Sequence, residues 1–213
     1  MGAGFLDAFL NALVNFFVVV DPIGLVPIFI GLTQGFDARR KRMIALRGST
    51  IALAVIVFFA FLGEAVLRAL SISIPAFRIA GGLLLFWIAV EMLFERRSER
   101  KERTADEART DEEARDLSVF PLAVPLIAGP GAVVSTLLLM DRHGGTIMGQ
   151  TAVLAAATLA ILAGALLFLA AQAVHRLLGR TLIHTASRIL GIVLAAFAVQ
   201  VVIAGVTTVY PPG

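Results

Sequence analysis

Long apolar runs, separated by short charged segments, dominate this 213-residue chain. Each run has about 20 residues, enough for a helix to cross a hydrocarbon core roughly 30 Å thick. The chain is 59% hydrophobic and 15% charged, with a mean hydropathy of +0.92, which is too apolar for a soluble globular domain. The sequence therefore predicts an all-α protein that crosses a membrane several times and has the lipid bilayer as its surroundings.

The apolar runs predict six transmembrane helices. A segment rich in both acids and bases, residues 95–117, separates the first three spans from the last three. It is typical of a solvated cytoplasmic linker that can form a charged helix with i to i+4 pairs. The predicted units are residues 1–94, the linker, and residues 118–213, with both outer units in one membrane domain. The six predicted spans are residues 5–32, 44–67, 72–94, 118–140, 148–175 and 182–209.

The basic residues predict the orientation of the chain. Fifteen of the 18 Lys and Arg lie after the first span, after the third span, or after the fifth span, with Arg47 and Arg188 counted at the starts of the second and sixth spans. By the positive-inside rule, these loops are cytoplasmic and both termini face outward. Orientation explains the basic residues well enough that no nucleic-acid partner is expected. Residues 1–9 lack a positive n-region, so we expect the first span to be retained.

Two halves of the chain repeat each other. Three points keep one register, with offsets of about 108 to 110 residues, and chance would hardly give all three in order. Because each half has three spans, an odd number, the second half must enter the membrane from the opposite side. The sequence thus predicts two inverted three-helix repeats. The matches are residues 65–70 with 173–178, residues 78–81 with 188–191, and Pro22 with Pro130.

Helices one and four are predicted to be broken at matching Pro/Gly motifs, residues 21–27 and 129–131. Proline costs about 3 kcal/mol inside a helix, and an aspartate at membrane depth costs roughly 2.5 to 3.5 kcal/mol. Paired breaks are typical of a midplane binding site in transporters. Freed carbonyls suit an ammonium or a cation, and half-helix N-termini suit a carboxylate. The alternative is a pair of kinks that shape packing. The candidate substrate-binding residues here are Asp21, Pro22, Gly24, Pro27, Gly129, Pro130 and Gly131.

Asp21 is the candidate residue for cation coupling. Its repeat equivalent is Gly129, so the predicted site carries one carboxylate, which could pair with a substrate ammonium or Na⁺, or carry H⁺. The alternative role is an N-cap of the following half-helix, and the two roles are compatible. Asn11 and Asn15 share one face of span one and are also candidate substrate-binding residues. They are predicted either to line the transport pathway or to form interhelical hydrogen bonds. Ser135 is a weaker substrate-binding candidate beyond the second break.

Three motifs resemble those of the MarC family of bacterial inner-membrane proteins. They are the runs at residues 21–29, 78–86 and 121–132, and the resemblance covers nearly the whole chain outside the linker. It implies six spans, a location in the bacterial inner membrane, and transport of neutral amino acids. The chain departs from the family at Leu25, where members often have Asn, and this difference bears on substrate selectivity.

The residues favour a secondary transporter of small zwitterionic solutes, working by alternating access around the two breaks. The alternatives are an exporter of other small solutes or drugs, and a membrane factor that transports nothing. No enzyme motif is present, and we expect no cofactor; H⁺ and Na⁺ are the candidate coupling ions. The three histidines have no metal-ligand spacing. Oligomeric state and substrate are not set by the sequence.

Overall fold

The computed structural model describes residues 2–110 and 116–210, and the regular elements of these residues are helices. This confirms the predicted all-α class for the part of the chain that is described. The helices are α1 (Gly2–Val20), α2 (Leu25–Leu32), α3 (Ala38–Ala69), α4 (Ile74–Leu93), α5 (Arg96–Thr110), α6 (Pro130–His143), α7 (Ile147–Leu169) and α8 (Ala171–Val209), with an irregular helical segment at Ser118–Ile127 between α5 and α6.

Four helices are long and apolar enough to cross a membrane: α3, α4, α7 and the Thr181–Val209 part of α8. Two further pairs meet this test together but are bent, by 48° between α1 and α2 and by 55° between the irregular segment and α6. The described residues therefore hold four candidate spans, or up to six if each bent pair is one span. A multi-pass membrane protein is confirmed.

The boundaries of the fifth span differ from the prediction of residues 148–175. Helix α7 ends at Leu169, and the chain turns at Ala170 before α8 begins. Within α8, Gly179 has a φ of +66°, which separates a short first part from the long apolar part. A side chain would make this left-handed backbone unfavourable, so glycine suits the position. Apolar residues continue past Leu169, which is why the pattern gave no sign of the turn.

The irregular segment also differs from the continuous start predicted for span four. Phe120 and Val124 have extended backbone angles, with φ −126° and −131°. Each precedes a proline, Pro121 or Pro125, whose ring disfavours the helical conformation in the residue before it. The first residues of this predicted span are therefore not a regular α-helix.

Helices α4 and α8 pack antiparallel through glycines. A Cβ on Gly82 of α4 would lie 2.9 Å from the Ala198 carbonyl oxygen, and a Cβ on Gly191 of α8 would lie 3.2 Å from the Ala89 carbonyl oxygen. Small residues let the two backbones approach closely, as they do between helices in membranes. Elsewhere α1 packs on α7, and α3 packs on the irregular segment, α6 and α7.

Large apolar side chains cover much of the outer surface, which suits contact with lipid. Phe61, Leu166 and Ile192 are each more than half exposed. In a soluble protein a continuous surface of this kind would be unfavourable, whereas in a bilayer it needs no covering partner. The inner face of α7, in contrast, is built of small buried residues, among them Ala152, Ala156 and Ala160.

The linker is not fully solvated, and that interpretation is wrong for one face of it. Residues 96–110 form α5, and Arg97, Lys101 and Ala105 are buried at a spacing of four. Helix α5 packs against α2, α4 and the irregular segment. Arg97 and Lys101 are buried because they donate hydrogen bonds to backbone carbonyls at the end of α1. Residues 111–115 of the linker lie outside the described residues.

Candidate functional site

Asp21 forms the turn between α1 and α2. Its φ is +54°, a left-handed conformation that aspartate tolerates better than most residues. Its Oδ1 accepts the N–H of Gly24 at 3.1 Å, and its backbone oxygen accepts the N–H of Leu25 at 3.1 Å. The aspartate thus supplies acceptors for the free N–H groups at the start of α2.

Gly24 leaves room for this arrangement. A Cβ at Gly24 would lie 2.3 Å from Asp21 Oδ2 and 2.8 Å from the Oγ of Ser187. The glycine is therefore needed for the close approach of the buried carboxylate. This space is already filled by Asp21, so it is not open to a solute in this conformation.

The prolines lie where half-helices begin. Pro27 is in the first turn of α2 and Pro130 is the first residue of α6, positions at which the missing N–H costs nothing. Pro22 is buried in the turn. It faces α7, because a Cβ added to Gly164 would lie 3.4 Å from the Cβ of Pro22. The prolines therefore favour a fresh helix start after each bend.

The end of α1 is capped by cations from α5. Arg97 donates to the Val19 carbonyl oxygen, and the Lys101 ammonium donates to the Val20 carbonyl oxygen at 3.4 Å. Cations are favourable at the carbonyl end of a helix. Sequence reasoning missed both residues. The signal for them was the spacing of four that places Arg97, Lys101 and Ala105 on one face of a charged helix.

Burial sets the electrostatics of this cluster. Burial lowers the pKa of Lys101 well below its usual 10.5, and the neighbouring Arg97 lowers it further, while Asp21 opposes the shift. Burial also lowers the pKa of Arg97, again opposed by Asp21. Asp21 therefore acts on both buried basic groups, and Glu91 acts on Arg97 as well. At the edge, Arg100 is paired with Glu91 at 2.8 Å.

Ser187 connects α8 to the first break. Its hydroxyl donates to the Asp21 carboxylate, with Oγ 3.0 Å from Oδ1 and 3.1 Å from Oδ2. Both residues are buried. Sequence reasoning missed this residue too, although Ser187 directly precedes the repeated motif at residues 188–191 and is a polar residue near the start of an apolar span.

The two breaks meet at Gly131. A Cβ there would lie 3.0 Å from Val19 Cγ1 and 2.8 Å from Ile88 Cδ1. Gly129 has extended backbone angles before α6, and a Cβ on it would lie 2.5 Å from the Pro125 carbonyl oxygen. The second break thus abuts the last turn of α1 at Gly131, and Gly129 allows the close approach to the Pro125 carbonyl within the second bent pair.

A cavity of about 290 Å³ lies between α5 and the start of α6, and we call it the α5–α6 cavity. Its wall includes Val19 from the last turn of α1 and residues 129–132 at the start of α6. Its polar side chains are Arg97, Arg100, Lys101 and Thr104, and among the described residues no carboxylate lines it. The cavity therefore offers hydrogen-bond donors and positive charge, which suit an anionic group.

A second space, the α1–α8 groove, has a volume of about 480 Å³. Asp7, Asn11 and Asn15 line it, as their spacing of four suggests, together with apolar side chains of both helices. Asp7 and Asn11 are exposed, whereas the Asn15 amide is buried and has no hydrogen-bond partner among the described residues. Val18 lines this groove, and the next residue, Val19, lines the α5–α6 cavity. The last turn of α1 therefore lies between the two spaces.

Ser135 stands apart from both spaces. It is fully buried in α6, and in the described part of the chain its hydroxyl has no hydrogen-bond partner. It lines neither the α5–α6 cavity nor the α1–α8 groove. Its place as a substrate-binding residue stays a prediction.

The break at Asp21 does not divide its bent pair evenly. Helix α1 has 19 residues and α2 has eight, or about 28 Å and 12 Å at 1.5 Å per residue. The break therefore lies about two-thirds of the way along, closer to the end that carries the basic loops than a midplane site would be. Helix α1 ends directly before the predicted break, and it is the shortness of α2 that places the break off centre.

Comparison with known proteins identifies the family. Residues 6–210 match the family model described as MarC family integral membrane protein. Among curated relatives, the UPF0056 membrane protein YvbG of Bacillus subtilis is 32% identical over 94% of this chain and 95% of its own length. A UPF0056 membrane protein of Archaeoglobus fulgidus is 36% identical, over 95% of this chain and 94% of its own.

The UPF0056 membrane protein YhcE of Escherichia coli is 32% identical over 93% of this chain and 91% of its own. No solved structure matches the chain significantly. The names of these relatives state a membrane location and no substrate. The match over nearly the whole chain nevertheless leaves one assignment: this protein belongs to the MarC family of integral membrane proteins.

Proposed function

We propose that this protein is a secondary transporter of small zwitterionic solutes, with neutral amino acids as the first candidates. The observation that carries the proposal is the meeting of two bent helix pairs at Gly131 and Val19, with a cavity on one side and a groove on the other. A thin barrier between two spaces is what alternating access requires. The proposed setting is the bacterial inner membrane.

The helix contacts support two inverted repeats as the scaffold. If residues 1–94 and 118–213 exchange places, the contact of α1 with α7 becomes the contact of the irregular segment and α6 with α3, and the contact of α4 with α8 maps onto itself. The repeated motifs at 78–81 and 188–191 lie on antiparallel helices. Arg78 pairs with Asp141 and Arg188 with Glu95, at opposite ends of the bundle. Inverted repeats are a common scaffold for alternating access.

Asp21 is the proposed coupling residue. Its contacts with Gly24 and Ser187 join the two halves of the chain at its carboxylate, and Arg97 and Lys101 of the linker bring opposite charge to it. A cation that binds here must compete with two basic side chains. H⁺ fits this setting better than Na⁺, because moving one proton among the three groups needs no additional ligand oxygens.

The α1–α8 groove favours a second candidate function. It is the larger of the two spaces, and its lining is mainly apolar, with Leu10, Val14, Val193 and Phe197 among its residues. A roomy apolar site favours less polar solutes, as expected of an exporter of drugs or other small molecules. The smaller, donor-lined α5–α6 cavity favours amino acids.

The experiment is uptake of neutral amino acids into proteoliposomes under an imposed H⁺ or Na⁺ gradient. Asp21→Asn keeps a side chain that can accept from Gly24, since Asn is also a good cap, but it removes the charge. We expect wild type to respond to one gradient and the variant to lose that response while still exchanging substrate between equal solutions. An unchanged gradient response would refute coupling at Asp21. Absence of amino acid uptake by wild type would favour the exporter.

A further inference from the structure

Positive charge is in excess around the α5–α6 cavity. Arg97 and Lys101 are both buried there, and Asp21 is the carboxylate that acts on both of them. Arg100 at the rim already has Glu91 as its partner, at 2.8 Å. An unbalanced buried charge is unfavourable unless another group neutralises it. Among the residues that the structure describes in this cluster, the basic groups thus outnumber the carboxylates by one, three against two.

We infer that the α5–α6 cavity binds the carboxylate of a small solute, held between Lys101 and Arg97 of the linker helix and the start of α6. The charged side chains along the cavity wall are all cationic, Arg97, Arg100 and Lys101, while the Thr104 hydroxyl already donates to the Arg100 carbonyl oxygen. At the start of α6 the N–H groups of Gly131 and Ala132 have no intrahelical acceptor. Charge-assisted hydrogen bonds from such donors are the strong ones for carboxylates.

Lys101 has donors to spare for this role. Its ammonium has three N–H groups, and its contact with the Val20 carbonyl oxygen is long, at 3.4 Å. Arg97, in contrast, is bound on two sides, by the Val19 carbonyl oxygen and by the Met92 sulfur. Lys101 is therefore the residue that can turn toward a bound carboxylate, while Arg97 keeps the end of α1 capped.

The size of the cavity limits the solute. At about 290 Å³, it lies just below the range of about 300 to 1,000 Å³ typical of ligand sites. A carboxylic acid of a few carbon atoms fits. Because no carboxylate of the described residues lines the wall, an ammonium group on the solute finds no charged partner there. The carboxylate is thus the group that is recognised, and the amine is not required.

The test uses purified full-length protein and three small probes that differ in one group each. Binding is measured by calorimetry for L-alanine, for L-alaninamide, which lacks the carboxylate, and for propionate, which lacks the amine. We expect L-alanine and propionate to bind, and L-alaninamide to bind at least tenfold more weakly. Equal binding of L-alanine and L-alaninamide, or no binding of any probe, would overturn the inference. This comparison needs no variant.

Variants of α5 locate the site. Lys101→Gln should weaken propionate binding at least tenfold, and Lys101→Arg should restore it to within about threefold of wild type. Arg103→Gln removes one positive charge from the exposed face of the same helix and should change nothing. Wild-type affinity of a folded Lys101→Gln protein for propionate would contradict the inference.

The inference rests on the proposed function only for the part the cavity plays in transport. Binding that depends on the carboxylate, with no uptake of any probe, would refute the transporter and leave the carboxylate site standing. Equal uptake of L-alanine and L-alaninamide would refute the carboxylate site and leave the transporter standing. The two proposals can therefore fail separately.

Discussion

Ser187 holds the Asp21 carboxylate from the opposite half of the chain, with its Oγ 3.0 Å and 3.1 Å from the two carboxylate oxygens. The two residues are 166 positions apart. One hydroxyl hydrogen is shared between two acceptors, and both residues are buried away from competing water. Any movement of α8 relative to the first break must release this contact, so it marks the position of α8 in the present conformation.

Ser187→Ala should destabilise the protein. It removes a hydrogen bond to a buried charged acceptor, a loss of about 1 to 3 kcal/mol, and leaves the carboxylate with Gly24 as its remaining hydrogen-bond donor. Thr185→Ala is the control, because Thr185 is exposed on the same helix and bonds only within its own turn. Thermal unfolding in detergent should show a lower Tm for Ser187→Ala than for Thr185→Ala. Equal Tm values would mean that the contact contributes nothing to stability.

Gly24→Ala tests whether the Asp21 carboxylate must lie against the start of α2. The added Cβ would meet Asp21 Oδ2 at 2.3 Å, so the carboxylate has to leave Gly24 and Ser187. We expect a loss of about 1 to 3 kcal/mol in unfolding free energy, as for other lost bonds to charged groups. Gly31→Ala, also in α2, meets nothing within 4 Å and should be neutral or slightly stabilising. A Gly24→Ala protein as stable as Gly31→Ala would show that the carboxylate can move freely.

Local chemistry indicated where the chain bends. Asp, Pro and Gly each have strong conformational preferences, so residues 21–24 and 129–131 stood out, and the structure places bends at both. Capping by Asp21 was foreseen as one of its two roles. What could not be foreseen was the partner of each group. Ser187 reaches Asp21 only because α8 packs beside the first break, and a pattern within one segment carries no information on such contacts.

The linker shows the limit of composition most clearly. Its mixture of acids and bases predicts solvation, and most of α5 conforms to this. Arg97 and Lys101 are buried nonetheless, because the carbonyls of Val19 and Val20 end a helix with no following turn to satisfy them. The carbonyl acceptors lie on α1, and the side chains that donate to them lie on α5, about 80 residues later. Only the folded arrangement brings the two together.

The orientation of the chain can be tested with single cysteines, since the sequence has none of its own. The charge asymmetry predicts that Gly145→Cys reacts with an impermeant thiol reagent from outside the cell and that Arg103→Cys does not. Both positions suit labelling, because Arg103 is exposed and Gly145 has open space around it. Ala105→Cys should react poorly even in broken cells, since Ala105 is buried. Labelling of Arg103→Cys in intact cells would reverse the predicted orientation.

The depressed pKa of Lys101 predicts that stability changes with pH. Burial lowers the pKa of the folded-state ammonium well below 10.5, while the unfolded chain keeps the ordinary value. Between these two pKa values the unfolded state binds more protons, so the free energy of unfolding rises as pH increases. Bound propionate adds a negative charge beside Lys101, which raises its pKa and should weaken this dependence.

The measurement is the Tm of the purified protein from pH 7 to pH 9.5, with and without propionate. Wild type should gain stability across this range, and Lys101→Met, which replaces the ammonium by an apolar side chain of similar length, should change less with pH. Lys41→Met controls for loss of a lysine, because Lys41 is the chain's other lysine and lies partly exposed at the start of α3. The same pH profile in wild type and Lys101→Met would show that Lys101 is not the group responsible.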